Sequence, residues 1–170
     1  MSYIITPTDK TLKEALASWT WLDFTGKKPI LVTAFGDVFF HADEGIWFLD
    51  TTDGNLAPVC RSREELDAIL STQEGRDCYL FAPLVDQAVR QGQGLGRGQC
   101  YDFRMPPILG GAMEYANVET ADFMVALNLR GQIHDRVRHV PAGTRITEIN
   151  IAPMQSSTPW WKFWESLRCR

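Results

Sequence analysis

The sequence lacks most of the patterns that mark a catalytic or metal-bound protein. Its four cysteines are Cys60, Cys78, Cys100 and Cys169. No two are spaced as Cys-x-x-Cys, and no Cys/His grouping has zinc-finger spacing. A metal-finger architecture is excluded on those grounds, and free thiols in a reducing compartment are expected. Residues 1–7, MSYIITP, carry no basic segment and no long apolar stretch. Neither a signal peptide nor a membrane span is expected, which makes the cytoplasm the expected location. Basic charge is short as well: 17 Lys and Arg stand against 21 Asp and Glu, a net charge of −4. That balance argues against a nucleic-acid binder, which needs a basic face, and suits a basic partner.

Catalytic motifs are missing too. There is no Gly-x-Ser-x-Gly elbow, and no second histidine stands at metal-ligand spacing from His134. Gly92, Gly94, Gly96 and Gly98 invite a nucleotide-loop reading. No Lys-Ser/Thr follows them, and they link a helix to a strand, the wrong order for a phosphate cradle. A flexible connector fits better. No catalytic residue, cofactor or metal is expected.

The chain does have a globular composition, with 45% hydrophobic and 22% charged residues over 170 positions, enough for one domain with a sizeable core. The fold class expected is α+β: a mostly antiparallel sheet, made of an N-terminal meander and later strands, packed with several helices. Residues 1–152 form this domain, and 153–170 an aromatic tail. Thr8 or Asp9 can cap a first helix that buries Leu12, Ala15, Leu16 and Trp19. Residues 30–60 read as four short strands divided by Gly36-Asp37, Asp43-Glu44-Gly45 and Asp53-Gly54. Pro58 places the fourth at an edge or makes it irregular. Ser62 and Glu65 form a capping box, with the Glu65 carboxylate expected on the Ser62 N–H. One helical face is predicted through Leu80, Leu84, Val85, Ala88 and Val89, with Pro83 in a first turn or at a kink. A strand over 99–105 follows. Asn117 is expected to cap a helix with 119–122 as its acidic first turn. Phe123, Leu127, Ile133 and Val137 keep mainly helical spacing, with a strand up to Leu129 as the alternative that Gly131 and β-branched neighbours leave open, and a last strand is expected over 145–151.

Three groups of residues are candidates for function. Asp37, Asp43, Glu44, Asp50 and Asp53 crowd the turns of the meander, either as ordinary turn carboxylates or as an acidic rim for a basic protein surface. Trp160, Trp161 and Trp164 stripe the tail, either packed on the sheet or anchoring a partner. His134 could work as a catalytic base with Asp122 or Asp135, although a hydrogen-bonded structural or surface histidine is the simpler reading. His139, near a helix end, is explained by the helix dipole.

Three segments carry a resemblance to a known family: FGDVFF at 35–40 with WFLD at 47–50, GQCYDFRMPPILGG at 98–111, and GQIH at 131–134 leading to VPAGT at 140–144. Over about residues 12–151 the chain resembles the C-terminal domain of bacterial type VI secretion immunity proteins that protect against DNase effectors. Longer relatives in that family carry an N-terminal GAD-like domain, for which this chain shows no room. The resemblance implies a non-enzymatic antitoxin that binds and neutralises a cognate effector encoded beside it, with a DNase as one candidate. It implies no direct binding of nucleic acid or membrane. The partner-binding residues expected are Asp37, Asp43, Glu44, Asp53, Trp160, Trp161 and Trp164. Two other readings stay open: a small-molecule-binding or hydrolase domain built on His134, and an adaptor that docks through its aromatic tail.

Overall fold

The computed structural model describes residues 3–141, 144, 146 and 149–151. A five-stranded antiparallel sheet in simple sequential order organises it. The strands are β1 (Ile4–Ile5), β2 (Lys28–Thr33), β3 (Val38–Ala42), β4 (Gly45–Asp50) and β5 (Asn55–Cys60). The four-stranded meander appears where the alternation and turn residues place it. Pro58 indeed lies on an edge strand, where its missing N–H breaks no inner ladder. The two-residue β1, on the other edge, was too short to leave a pattern in the sequence.

Both faces of the sheet are covered, which explains why Val38, Phe39 and Phe40 are all buried although side chains alternate along a strand. On one face Val38, Phe40 and Leu49 meet Leu12, Ala15 and Trp19 from the N-terminal helical segment and Phe123 and Leu127 from the last helix. On the other, Phe39, Ile46 and Phe48 meet Leu66 and Leu80. The helices are α1 (Asp9–Ala15), α2 (Arg63–Ser71), α3 (Gln73–Leu80), α4 (Ala82–Arg90) and α5 (Phe123–Val137). A second antiparallel pair, β6 (Gln99–Phe103) and β7 (Val118–Asp122), extends the fold beyond the β2–β3 turn. It is tied there by the Tyr101 N–H donating to Ala34 O at 2.8 Å. Tyr101, Phe103 and Val118 pack with Phe35 and with Val85 and Ala88 of α4.

Helix starts follow the capping chemistry. Thr8 accepts from the Thr11 N–H, Ser62 from that of Glu65, and Thr72 from that of Gly75. Three expectations need correction. The Glu65 carboxylate accepts from the Arg61 N–H at 2.9 Å, not from Ser62. Leu80 does not share a helix with Leu84, because Phe81, at φ 48°, breaks the chain between α3 and α4. A side chain in the left-handed region costs about 1–2 kcal/mol, here offset by ring contacts to Phe35 at 5.0 Å and Phe103 at 6.4 Å. Pro83 then sits in the first turn of α4, where no N–H is missed. Finally, residues 119–122 are strand β7 and not a helical turn. Asp122 ends the strand and caps α5 by accepting from the Val125 N–H. Of the strand expected over 145–151, residues 145, 147 and 148 fall outside the described residues, and the described 146 and 149–151 are not in a strand; the tail tryptophans fall wholly outside the described residues.

Candidate functional site

The polar centre of the molecule lies where α5 crosses the β4–β5 turn. Helical spacing puts Leu127, Arg130, Gly131 and His134 on one buried stripe of α5. Gly131 lets this stripe approach closely, because a side chain there would run into Ser18 and the Trp19 indole. That close approach carries Arg130 into the end of the sheet, where only 7% of its side chain stays exposed.

A guanidinium buried this deeply must have its donors satisfied. Nε and Nη2 donate to Asp102 Oδ1 at 3.0 and 2.9 Å, Nη2 also to Tyr101 O, and Nη1 to Phe35 O and Thr51 Oγ1. Burial opposes the charge on Arg130. Asp102 above all, with Asp37 behind it, outweighs burial and raises its pKa. Thr51 passes the chain on: its hydroxyl donates to Asp37 Oδ1 at 2.7 Å and its N–H to the same oxygen at 2.9 Å. Asp37 Oδ2 accepts from the Thr33 hydroxyl. The relay Asp102–Arg130–Thr51–Asp37 thus sews α5 to β6 and to two turns of the meander. Nothing in the sequence reading singled out Arg130 or Thr51. The available signal was an arginine on an otherwise apolar helical stripe.

This geometry removes Asp37 from the acidic rim. It is 1% exposed, and both carboxylate oxygens are engaged internally. The remaining acids separate as well. Asp43 and Glu44 lie in the β3–β4 turn, whereas Asp53 lies in the β4–β5 turn. Consecutive hairpin turns fall at opposite ends of a sheet, so the length of β4, about 20 Å, divides them. Asp53 and Asp43 are exposed. Asp50, beside Asp53, accepts from the Thr52 and Asp53 N–H groups, and burial, helped by Asp37, pushes its pKa up to about 6.

His134 is packed. It is 5% exposed, its Nε2 lies 3.1 Å from Thr51 O, and its ring sits 5.6 Å from that of Trp19. Gly54 closes the other side: at φ 70° it needs the left-handed region, and a side chain there would come within 2.5 Å of His134 Nδ1. Burial lowers the His134 pKa and so favours the neutral ring. The acids considered as its partners are elsewhere, since Asp122 caps α5 and Asp135 pairs with Arg138 at 3.0 Å. The crevice beside His134 offers about 10 Å³, room for about one water. The hydrolase reading therefore loses both its acid and its substrate space. Cys100, with its thiol pushed up to about 12 by burial, is held as the unreactive thiol. Among the described residues no group of His, Cys, Asp and Glu could hold a metal ion, and no helix is long and apolar enough to cross a membrane.

The outer lip of the crevice is the loop after β6. Pro106, Pro107 and Ile108 line it with Thr52 and Asp102. Met105, Ile108 and Met113 are exposed at 51%, 43% and 51%. Asn117, expected to cap a helix, instead clamps this loop: it accepts from the Met105 N–H and donates to Met105 O and Ala112 O at 2.8 and 2.9 Å. A carboxamide has the donors and acceptor to bridge such a reversal.

The described residues form an α+β domain whose charged centre is consumed internally, with an apolar lip and acids on its surface. Residues 61–134 match the family model described as T6SS immunity protein Tdi1, C-terminal, so this segment is similar to the type VI secretion immunity family. The matched segment runs from the start of α2 through β6, the Pro106–Gly111 loop and Arg130 to His134. No curated protein matches the chain.

Proposed function

We propose that this chain is a non-enzymatic immunity protein that binds and neutralises a cognate type VI secretion effector in the cytoplasm of the cell that produces it. The family match over 61–134 carries the reading. The way the buried charges are used supports it: Arg130, Asp102 and Asp37 are spent on one another and on the fold, beside a crevice of about 10 Å³. The effector is a protein with a basic surface, a DNase being one candidate, encoded beside this chain. A mildly acidic binder gains association rate against such a surface.

The contact surface we favour is the end of the sheet bearing Asp53 and the apolar lip at Met105 and Ile108. Exposed apolar side chains beside acids supply both burial and steering there. Asp43 and Glu44, at the far end, contribute long-range attraction only. Trp160, Trp161 and Trp164 remain candidate anchors in the tail. Co-purification with the product of the adjacent open reading frame, combined with a toxicity rescue in the same cells, tests the reading. A stable complex with rescue is expected, and a neighbour that is toxic yet neither bound nor neutralised would overturn it. Deleting 153–170 without loss of protection would remove the tail from the contact set.

A further inference from the structure

The crevice under the 106–108 lip offers acceptors and, apart from the Thr52 hydroxyl, which can donate or accept, no donor to spare. All three nitrogens of the Arg130 guanidinium are engaged, by Asp102, Phe35, Thr51 and Tyr101. His134 Nε2 is taken by Thr51 O. On the acceptor side, the Phe103 N–H and both Arg130 contacts to Asp102 fall on Oδ1, leaving Oδ2 outside these bonds. Thr52 lines the crevice at 4% exposure, and its buried Oγ1 has no hydrogen-bond partner. Such a hydroxyl calls for an occupant.

Resting on the immunity reading, we propose that this crevice receives the ammonium group of one lysine side chain presented by the toxin effector. The size of the space favours ammonium. About 10 Å³ accepts a water-sized group. An ammonium is a compact point charge with three rotatable donors, whereas a planar guanidinium is broader and needs its fork engaged. An anion would meet the Asp102 carboxylate and find no free N–H on Arg130. The lip suits the rest of the side chain: Pro107 and the exposed Ile108 form an apolar edge on which the lysine stem can lie while its head reaches the acceptors. The charge balance of the chain, −4, attracts such a group from a distance.

Two measurements test this on the full chain. In the first, methylammonium is titrated at constant ionic strength while the backbone amide resonances of Thr52, Asp53 and Asp102 are followed by NMR. Saturable shifts at these amides are expected, weakened about fivefold or more in Thr52→Val, which keeps the side-chain shape and removes the hydroxyl. Absent shifts, shifts equal in Thr52→Val, or a stronger response to acetate would each overturn the inference. In the second, the effector from the adjacent reading frame is bound to wild type, Thr52→Val and Ile108→Ala. An affinity loss of about tenfold is expected for Thr52→Val, the size of one hydrogen bond to a charged group, without a fall in melting temperature. One Lys→Met substitution in the effector should cause the same loss and be non-additive with Thr52→Val. Effector binding unchanged in Thr52→Val overturns the inference and leaves the immunity reading standing. Wild-type protein that captures no effector overturns the immunity reading and the lysine's source with it, while the methylammonium titration still decides whether the crevice takes an ammonium.

Discussion

The two ends of the meander are built from the same residues and do opposite things. At the β3–β4 turn, Asp43 and Glu44 stand in solvent, and Glu44 makes only a 3.8 Å contact to Lys27. At the other end, Asp37 and Thr51 are drawn under α5, where Arg130 and His134 reach Thr51. Composition does not separate these turns, since each is a short acidic stretch with glycine. The helix that lands on one of them does. A carboxylate under a helix must find donors and becomes structural, while one at a bare turn stays free to act at long range.

The comparison is broken most severely at Arg130. Arg130→Met leaves Asp102 and Asp37 buried without their cation, and a loss of about 3–5 kcal/mol in urea unfolding is expected. Pairing it with Asp102→Asn should recover part of that loss, because an uncompensated charge costs more than a missing pair. A single variant as stable as wild type would show that the relay does not hold α5 to the sheet.

Gly54→Ala is the next test. Its new methyl would press on His134, and φ 70° adds backbone strain. A loss of about 1–3 kcal/mol is expected, read as a lower midpoint in thermal unfolding. Little change would mean that the turn can move away from His134, so that this end is no tighter than the other.

How much of this was legible beforehand follows from the range of the forces involved. The meander, the edge position of Pro58, the caps at Thr8 and Ser62 and the helix through Phe123–Val137 are decided within a few residues, by alternation, turn chemistry and periodicity. The resemblance rested on local motifs at 35–50, 98–111 and 131–144, and the family match over 61–134 covers 98–111 and 131–134 but not the rest. Long-range placement was not legible. Asp37 looked like any turn acid, because its burial depends on Thr51, 14 residues on, and on Arg130 beyond it. Residues 119–122 looked like an acidic helix start, because pairing with β6 is what makes them a strand. The break at Phe81 was hidden for the same reason: its left-handed backbone is held by aromatic contacts far along the chain.

Asp50 sharpens the contrast through pH. Its folded pKa, about 6, lies above the ordinary carboxylate value because of burial and the nearby Asp37. A raised carboxylate pKa means that the protonated form suits the fold. Its contribution is therefore full below the unfolded value, about 4, and is lost as pH rises through about 6. Asp50→Asn keeps an acceptor for the Thr52 and Asp53 N–H groups and should raise stability at pH 7 by about 1–2 kcal/mol. The gain should vanish near pH 4, as followed by urea midpoints across the range. An equal gain at both pH values would assign the effect to packing instead of charge.

The smallest effect on the fold belongs to the free end. Glu44→Ala and Asp43→Ala remove one weak surface contact and a solvated carboxylate, so changes within about 0.5 kcal/mol are expected. Their consequence should appear in association instead. Reversal of both to Lys should slow binding of a basic effector and flatten its dependence on ionic strength, while dissociation stays nearly constant. Rapid-mixing kinetics at several salt concentrations reads both rates. A change confined to dissociation would place Asp43 and Glu44 inside the contact surface and move the docking face toward this end. No change in either rate would leave Asp53 and the lip at Ile108 as the end that meets the partner.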